Sequence, residues 1–344
     1  LSSCLISSGK SFLCNLILTC IRYIYMKPTE ILVFGATGQI GRNLLRKLTR
    51  NNCKVTAVTR NVHRKGYILK KSGNAGWIDI VELETFDQNI LNNLFKDKDI
   101  CINLIGILNE KNKSSFNNIH CLLPKKLAIL SKENNLKQFI HLSALGIENA
   151  NKSKYAISKL NGENEIKKIF NNYVILKPSI IFSQDDSFST MLLGMLKLMP
   201  VFPIYYNGKT IFYPIHVTDI CEIIENIILK EVKGETIECI GPEKINFKEI
   251  VQRINKSLNI KRFLIPTPLP VAKMFANFFE LTMKKPLLTK DQLILLNYDN
   301  MPSGKYKTNI ELNLNSNLKF FDKEISKYSY MYKTGGEFSK NIKN

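Results

Sequence analysis

Ile31-Leu32-Val33-Phe34-Gly35-Ala36-Thr37-Gly38-Gln39-Ile40-Gly41-Arg42 runs four consecutive apolar residues into three glycines spaced three apart. The apolar run reads as a short buried strand, and from Gln39 to Leu48 the apolar positions recur at helical spacing. A strand, a glycine turn and a helix in that order form a phosphate-binding βα unit. Gly35 permits the tight turn, Gly38 lets the backbone approach a pyrophosphate, and Gly41 lets the helix lie close on its strand. The free N–H groups at the helix start then attract the anion. The spacing is Gly-x-x-Gly-x-x-Gly rather than Gly-x-Gly-x-x-Gly, and Thr37, Gln39 and Ile40 complete the set assigned to the cofactor.

Outward from this loop, residues 54–59 alternate as a second strand ending at Thr59-Arg60, with Arg64 close behind and no acid. The end of this strand faces the adenine ribose, where a carboxylate holds a free 2′-hydroxyl and an arginine accepts a 2′-phosphate. Arg60 therefore favours NADP(H) over NAD(H), and Arg42 is a candidate second cation; the bland alternative is a solvated loop charge. Residues 77–83 read as a third strand, Gln88–Phe95 as a helix, and 99–106 as a buried fourth strand. Its end, Leu104-Ile105-Gly106, is placed over the adenine-ribose side of the cofactor. Residues 119–133 read as a helix distorted by Pro124, and 139–143 as the fifth strand.

Ser143 ends that strand, and Tyr155-Ala156-Ile157-Ser158-Lys159 follows. Tyrosine and lysine four apart share a helix face. There an ammonium lowers a phenol's pKa so that it exchanges a proton with a carbonyl or hydroxyl during hydride transfer, with Ser143 holding the substrate oxygen. Equally, Lys159 serves only to hold the nicotinamide ribose, so the three are catalytic only if the chain is active. A sixth strand, 173–182, places Pro178 beside the nicotinamide. Strand and helix alternating through about residue 180 predict an α/β fold, a doubly wound parallel Rossmann sheet with a smaller mixed α/β C-terminal lobe.

In that lobe, 191–198 reads as a helix, 199–206 as an apolar, proline-broken loop over the cleft, and 220–229 as a helix capped by Thr218 or Asp219. Strand, helix and strand follow at 236–240, Phe247–Leu258 and 262–265, then amphipathic helices at 271–283 and from 287. The expected division is 1–28 presequence-like or translated upstream of Met26, 29–182 dinucleotide-binding, 183–300 the smaller lobe interleaved with it, and 301–344 a Lys/Asn-rich tail. Of 344 residues, 44% are hydrophobic, so a packed core is expected. The net charge of +20 is dispersed among asparagines with no aromatic-interleaved basic strip, which argues against nucleic acid and allows contact with an anionic membrane. Eight cysteines without a Cys-x-x-Cys pair predict buried free thiols, and four scattered histidines predict no metal.

The chain resembles the short-chain-dehydrogenase-like, NADPH-binding accessory subunits of respiratory complex I, themselves similar to NAD-dependent epimerases and dehydratases. The resemblance covers about residues 29–300. It is carried by 34–41, 102–106, 139–145, Tyr155 through Lys159 with Gly162-Glu163, 176–182, 214–219 and, more specifically, Pro266-Thr267-Pro268-Leu269-Pro270 with Leu288-Thr289-Lys290-Asp291-Gln292. Phe182-Ser183-Gln184 departs from a glycine often found after the aromatic. The resemblance implies a tightly held NADPH in a structural or sensing role, complex I subunits as partners, and peripheral attachment at the cytoplasmic face of a bacterial inner membrane or the mitochondrial matrix side. It further implies retained cofactor and no accessible substrate pocket. The alternative is a free NADP-dependent reductase, epimerase or dehydratase, which implies an open cleft beside Ser143 and Tyr155.

Overall fold

The computed structural model describes residues 27–110, 114–283, 286–333 and 335–336. The presequence-like stretch through Tyr25 lies outside the described residues, as do Cys4, Cys14 and Cys20. Seven parallel strands form the central sheet: β1 (Thr29–Phe34), β2 (Cys53–Thr59), β3 (Ile78–Glu82), β4 (Ile100–Asn103), β5 (Gln138–Leu142), β6 (Tyr173–Pro178) and, far along the chain, β11 (Glu235–Cys239). Their order is β3-β2-β1-β4-β5-β6-β11, so the sheet is doubly wound from β1 in both directions.

Strand alternation sends the two faces of β1 into two cores. Ile31 and Val33 pack with α1 (Gln39–Leu48) and with α7 (Val217–Leu229). Leu32 and Phe34 pack with α3 (Gln88–Phe95), α4 (Leu123–Glu133) and α5 (Lys154–Ile169). The helix α2 (Val62–Lys70), which the sequence did not announce, closes the edge near β3 and buries only Gly66 and Leu69. The parallel register runs Phe34 against Val58 on one side and against Asn103 on the other, so the loops after β1, β2 and β4 open at the same end.

The smaller lobe combines α6 (Ser189–Leu198), α8 (Phe247–Leu258), α9 (Leu269–Thr282) and α10 (Lys290–Leu295). The expected cleft-covering loop is instead β8 (Val201–Ile204), paired in parallel with β13 (Phe263–Pro266). Prolines are tolerated there because the pair is an isolated two-stranded edge. The expected sixth strand ends at Pro178, β7 (Ile181–Phe182) separately pairs β10 (Ile215–His216), and β9 (Ile211–Phe212) pairs β12 (Ile245–Asn246) in the antiparallel sense. Of residues 236–240, read as part of this lobe, 236–239 belong to β11 and extend the main sheet beside β6. His216, rather than Thr218 or Asp219, caps α7 by accepting from Thr218 N.

The Lys/Asn-rich stretch returns over both lobes as far as it is described. Leu314 sits in the Rossmann core, and α11 (Phe321–Tyr328) buries Phe321 and Ile325 against α8. Cys53, Cys101, Cys121, Cys221 and Cys239 are buried free thiols. No helix among the described residues is long and apolar enough to cross a membrane.

Candidate functional site

The glycine loop lies at the C-terminal end of β1. Gly35 has φ of +81°, and a Cβ there would come 3.0 Å from the Leu104 carbonyl carbon, so the loops after β1 and β4 cross in contact. A Cβ on Gly41 would lie 2.5 Å from Ala36 O, so only glycine lets α1 start that close to its strand. Gly38 is the N-cap of α1, with no side-chain cap and no acid in the first turn. The first N–H groups of the helix, including those of Gln39, Ile40 and Gly41, thus have no intrahelical acceptor and present a partial positive charge. This is the geometry a pyrophosphate requires. Only the backbone of Ile40 is available to it, because its side chain packs into the core. Thr37 sits in the turn itself, half-buried. Gln39 Nε2 donates to Ser183 Oγ at 2.9 Å, and its side chain lines the cleft.

Arg60 follows β2 and is exposed, as is Arg64 in the first turn of α2. Arg60 makes no ion pair among the described residues. Arg42 is not free as a second cation, because its guanidinium is ion-paired with Asp185. Glu82, which the sequence reading passed over, ends β3 opposite Thr59 and accepts from Val62 N at 3.0 Å. Beyond β4, Leu104 and Gly106 line the cleft, whereas Ile105 turns its side chain into the core.

Tyr155 and Lys159 both lie on α5 and both face the cleft, together with Ser143 and Pro178. Lys159 Nζ donates to Leu142 O at 2.8 Å and would meet a Cβ on Gly106 at 3.6 Å. Burial brings its pKa down to about 8. Tyr155 behaves opposite to the sequence expectation: burial, with Asp291 adding to it, pushes its phenol up to about 12. Ser143 also differs, because its hydroxyl donates to buried Glu163 rather than being held for a substrate oxygen. Glu163 is in turn ion-paired with Lys177 at 3.4 Å, and Lys177 with Glu148.

Two positioning residues come from parts of the chain that the sequence reading did not join to the site. Asp291 of α10 accepts from Lys154 N at 2.8 Å, Tyr155 N at 3.2 Å and the capping Ser153 Oγ at 2.7 Å, tying the small lobe to the start of α5. His120 lies in a π-helical stretch (Asn117–Leu122) just before α4, where Pro124 has no N–H to contribute to the helical ladder. Its Nε2 accepts from Ile107 N at 3.1 Å, which leaves Nδ1 to donate to Ser158 Oγ at 2.9 Å. Its ring meets Tyr155 edge-on at 5.2 Å. A Cβ on Gly162 would sit 1.9 Å from His120 O, so glycine is what allows this stretch to touch α5. Burial and the Lys159 charge hold His120 neutral, with its pKa lowered to about 3.

Between the sheet end and the small lobe lies a cavity of about 630 Å³. The pocket-free site implied by the accessory-subunit resemblance is therefore not what the structure contains. Its size falls within the range of about 300–1,000 Å³ usual for small-molecule sites.

The model of the NAD dependent epimerase/dehydratase family matches residues 31–240, well over half of the chain. The chain belongs to the NAD dependent epimerase/dehydratase family. Family membership supports a nicotinamide dinucleotide as the cofactor. Among solved structures of the same fold is a dTDP-glucose 4,6-dehydratase from Streptomyces venezuelae with NAD and TYD bound, at a TM-score of 0.64 and 13% identity, covering 88% of this chain and 97% of that one. Among curated relatives, the mitochondrial NADH-ubiquinone oxidoreductase 40 kDa subunit of Neurospora crassa is 24% identical over 302 residues, 87% of this chain and 77% of that protein. The mitochondrial NADH dehydrogenase [ubiquinone] 1 alpha subcomplex subunit 9 of Mus musculus is 29% identical over 264 residues, 76% of this chain and 70% of that protein.

Lys159 is the residue expected to hold the nicotinamide ribose, so the protonation of its ammonium is expected to affect cofactor binding. With a pKa of about 8 it is charged and donating below that pH and neutral above it. Affinity for the nicotinamide dinucleotide is therefore expected to fall by about tenfold between about pH 7 and pH 9, and Lys159→Met to bind weakly with a flat profile. Titration by nucleotide fluorescence checks this; a wild-type profile that is equally flat removes Lys159 from the ribose contact.

Proposed function

We propose that this chain is an NADP(H)-binding accessory or assembly subunit of NADH:ubiquinone oxidoreductase, with the cofactor in a structural or redox-sensing role. The observation that carries this reading is the extent of similarity to the respiratory subunits. The 302 residues aligned with the Neurospora subunit exceed the stretch matched by the family model, so the likeness takes in sequence outside the shared dinucleotide unit. The names of those relatives favour the mitochondrial matrix side of the inner membrane over a bacterial inner membrane. Peripheral contact with anionic lipid suits the net charge of +20 and the exposed apolar side chains Met274, Phe278 and Leu281 on α9. The cofactor is read as NADPH because Arg60 offers an exposed guanidinium at the end of β2.

The site's own electrostatics suit a held rather than a reacting cofactor. A phenol raised to about 12 is a poor proton donor and acceptor near neutrality, and the Ser143 proton is committed to Glu163. One observation favours a second reading, a free NADP-dependent reductase, epimerase or dehydratase: the cavity places open space beside Ser143 and Tyr155.

Gentle purification from the protein's own membranes, with mass spectrometry of the copurifying proteins and nucleotide, separates the two. NADPH together with NADH:quinone oxidoreductase subunits is the expected result. Exchangeable NADP(H) on a protein recovered without those subunits overturns the accessory reading. Arg60→Asp is expected to shift the ratio of NADPH to NADH affinity by about tenfold or more towards NADH. An unchanged ratio in calorimetric titrations of both nucleotides removes Arg60 from the 2′-phosphate contact.

A further inference from the structure

The cavity has an uneven chemistry. Ser143, Tyr155, Lys159 and Asn300 gather where β5, β6 and α5 meet the end of the cleft assigned to the nicotinamide, while Ser187, Tyr205, Gln292 and Tyr298 are polar residues that the small lobe adds. Away from that end the small lobe supplies a wall of Met191, Leu192, Met195, Phe202, Phe275 and Phe279. Unbranched methionines and aromatic faces accept a flexible hydrocarbon. Among the described residues lining the cavity, Lys159 is the one cation, and its ammonium already donates to Leu142 O. The single lining carboxylate, Asp299, accepts from Ile211 N at 2.8 Å. A diphosphate buried here would meet no arginine and no uncommitted lysine, which argues against a nucleotide-sugar. Phe275 lines the cavity and is 42% exposed, so the mouth opens at α9. Beside it on the same helix, Met274 and Phe278 are 61% and 58% exposed, a rim too apolar for a water-borne polar ligand.

We propose that this cavity binds a neutral single-chain lipid, a long-chain alcohol, with its hydroxyl at Ser143 and Tyr155 and its hydrocarbon running along α6 to the mouth at α9. The proposal deepens the reading of the cleft as a dinucleotide site, because it rests on the nicotinamide occupying the Lys159 and Pro178 end. Ser143 donates to Glu163 but keeps lone pairs to accept from an alcohol, and Tyr155 can donate to the same alcohol oxygen. The ligand's single oxygen matches a site with few polar partners, and its chain takes the apolar remainder out of water.

The test is retention of radiolabelled hexadecan-1-ol by the full chain in detergent-free gel filtration, with NADPH content read in the same fractions. Equimolar hexadecanol is expected, undiminished by excess UDP-glucose. Met195→Glu, inside the cavity, and Phe275→Glu, at its exposed mouth where folding is not at stake, are each expected to lower retention by about tenfold or more with NADPH unchanged. No retention, retention equal in both variants, or displacement by UDP-glucose overturns the proposal. Variant-sensitive retention in fractions devoid of NADPH supports the lipid site and overturns the cofactor reading alone, so the two fail separately.

Discussion

Gly38→Val is expected to abolish cofactor retention while leaving the fold in place. Gly38 has φ of −74° and ψ of 174°, an extended backbone open to any residue, so its lack of a side chain is not explained by backbone strain. A Cβ there meets only Gly35 O, at 3.2 Å, and otherwise stands in open space at the start of α1. That is the space a pyrophosphate must enter to reach the first N–H groups of the helix. Valine fills it with two methyl groups, and the expected loss is more than about 100-fold in affinity, about 3 kcal/mol. The cost to folding is small, about 1 kcal/mol, from a β-branched residue at an N-cap. Mass spectrometry of the nucleotide carried through purification, beside a thermal melt, checks both halves. Normal retention in a folded Gly38→Val protein removes the glycine loop from the cofactor site.

Where local periodicity decides an element, the sequence locates it well. Gln39–Leu48, Gln88–Phe95 and Phe247–Leu258 are read with the bounds the structure has, because each presents a regular apolar stripe to a core. Pairing between distant segments leaves no such local trace. Residues 235–239 look like any short strand, and nothing in them says that they join β6 rather than the small lobe. The prolines at 200 and 203 argued for a loop and concealed β8, whose partner lies about sixty residues later. The helix α2 was hidden by Gly66 and a charged first turn, and it buries too little to show a stripe.

The site was legible by residue type more than by electrostatics. The glycines, Tyr155, Lys159 and Pro178 were read from a strand-turn-helix pattern and a four-residue spacing, and the structure brings them to one cleft. The direction of the Tyr155 shift was not legible, since it depends on burial and on Asp291, a residue 136 positions away that reaches the start of α5. His120 was one of four scattered histidines until the π-helical stretch placed it against Tyr155. Glu163 carried part of the family resemblance, but its acceptance of the Ser143 proton follows from the depth of the strand ends, which composition does not report.

That depth sets the second large expected effect, on stability. Lys177 is fully buried in β6, ion-paired with Glu148 and Glu163, and its ammonium also lies 5.5 Å from the Tyr306 ring centre. Lys177→Met keeps most of the stem and removes the charge, leaving the buried Glu163 carboxylate without its ion-pair partner. Breaking one side of a buried pair costs about 3–5 kcal/mol, more than the pair itself contributes relative to an apolar replacement. Burial already raises the Glu163 pKa against the lowering effect of Lys177, so losing the lysine raises it further. A folded-state pKa above the unfolded one means that the native state binds the extra proton. Its stabilising share is present in acid and is lost as pH rises through the folded value. The deficit of Lys177→Met against the parent protein is therefore expected to be smaller near about pH 5 than near about pH 8. Lys177→Met/Glu163→Gln is expected to recover most of it at the higher pH, because a neutral amide can still accept from Ser143. Thermal melts of the three proteins at both pH values decide the matter: a deficit independent of pH, or no recovery in the double variant, means that the cost lies in packing and not in an uncompensated carboxylate.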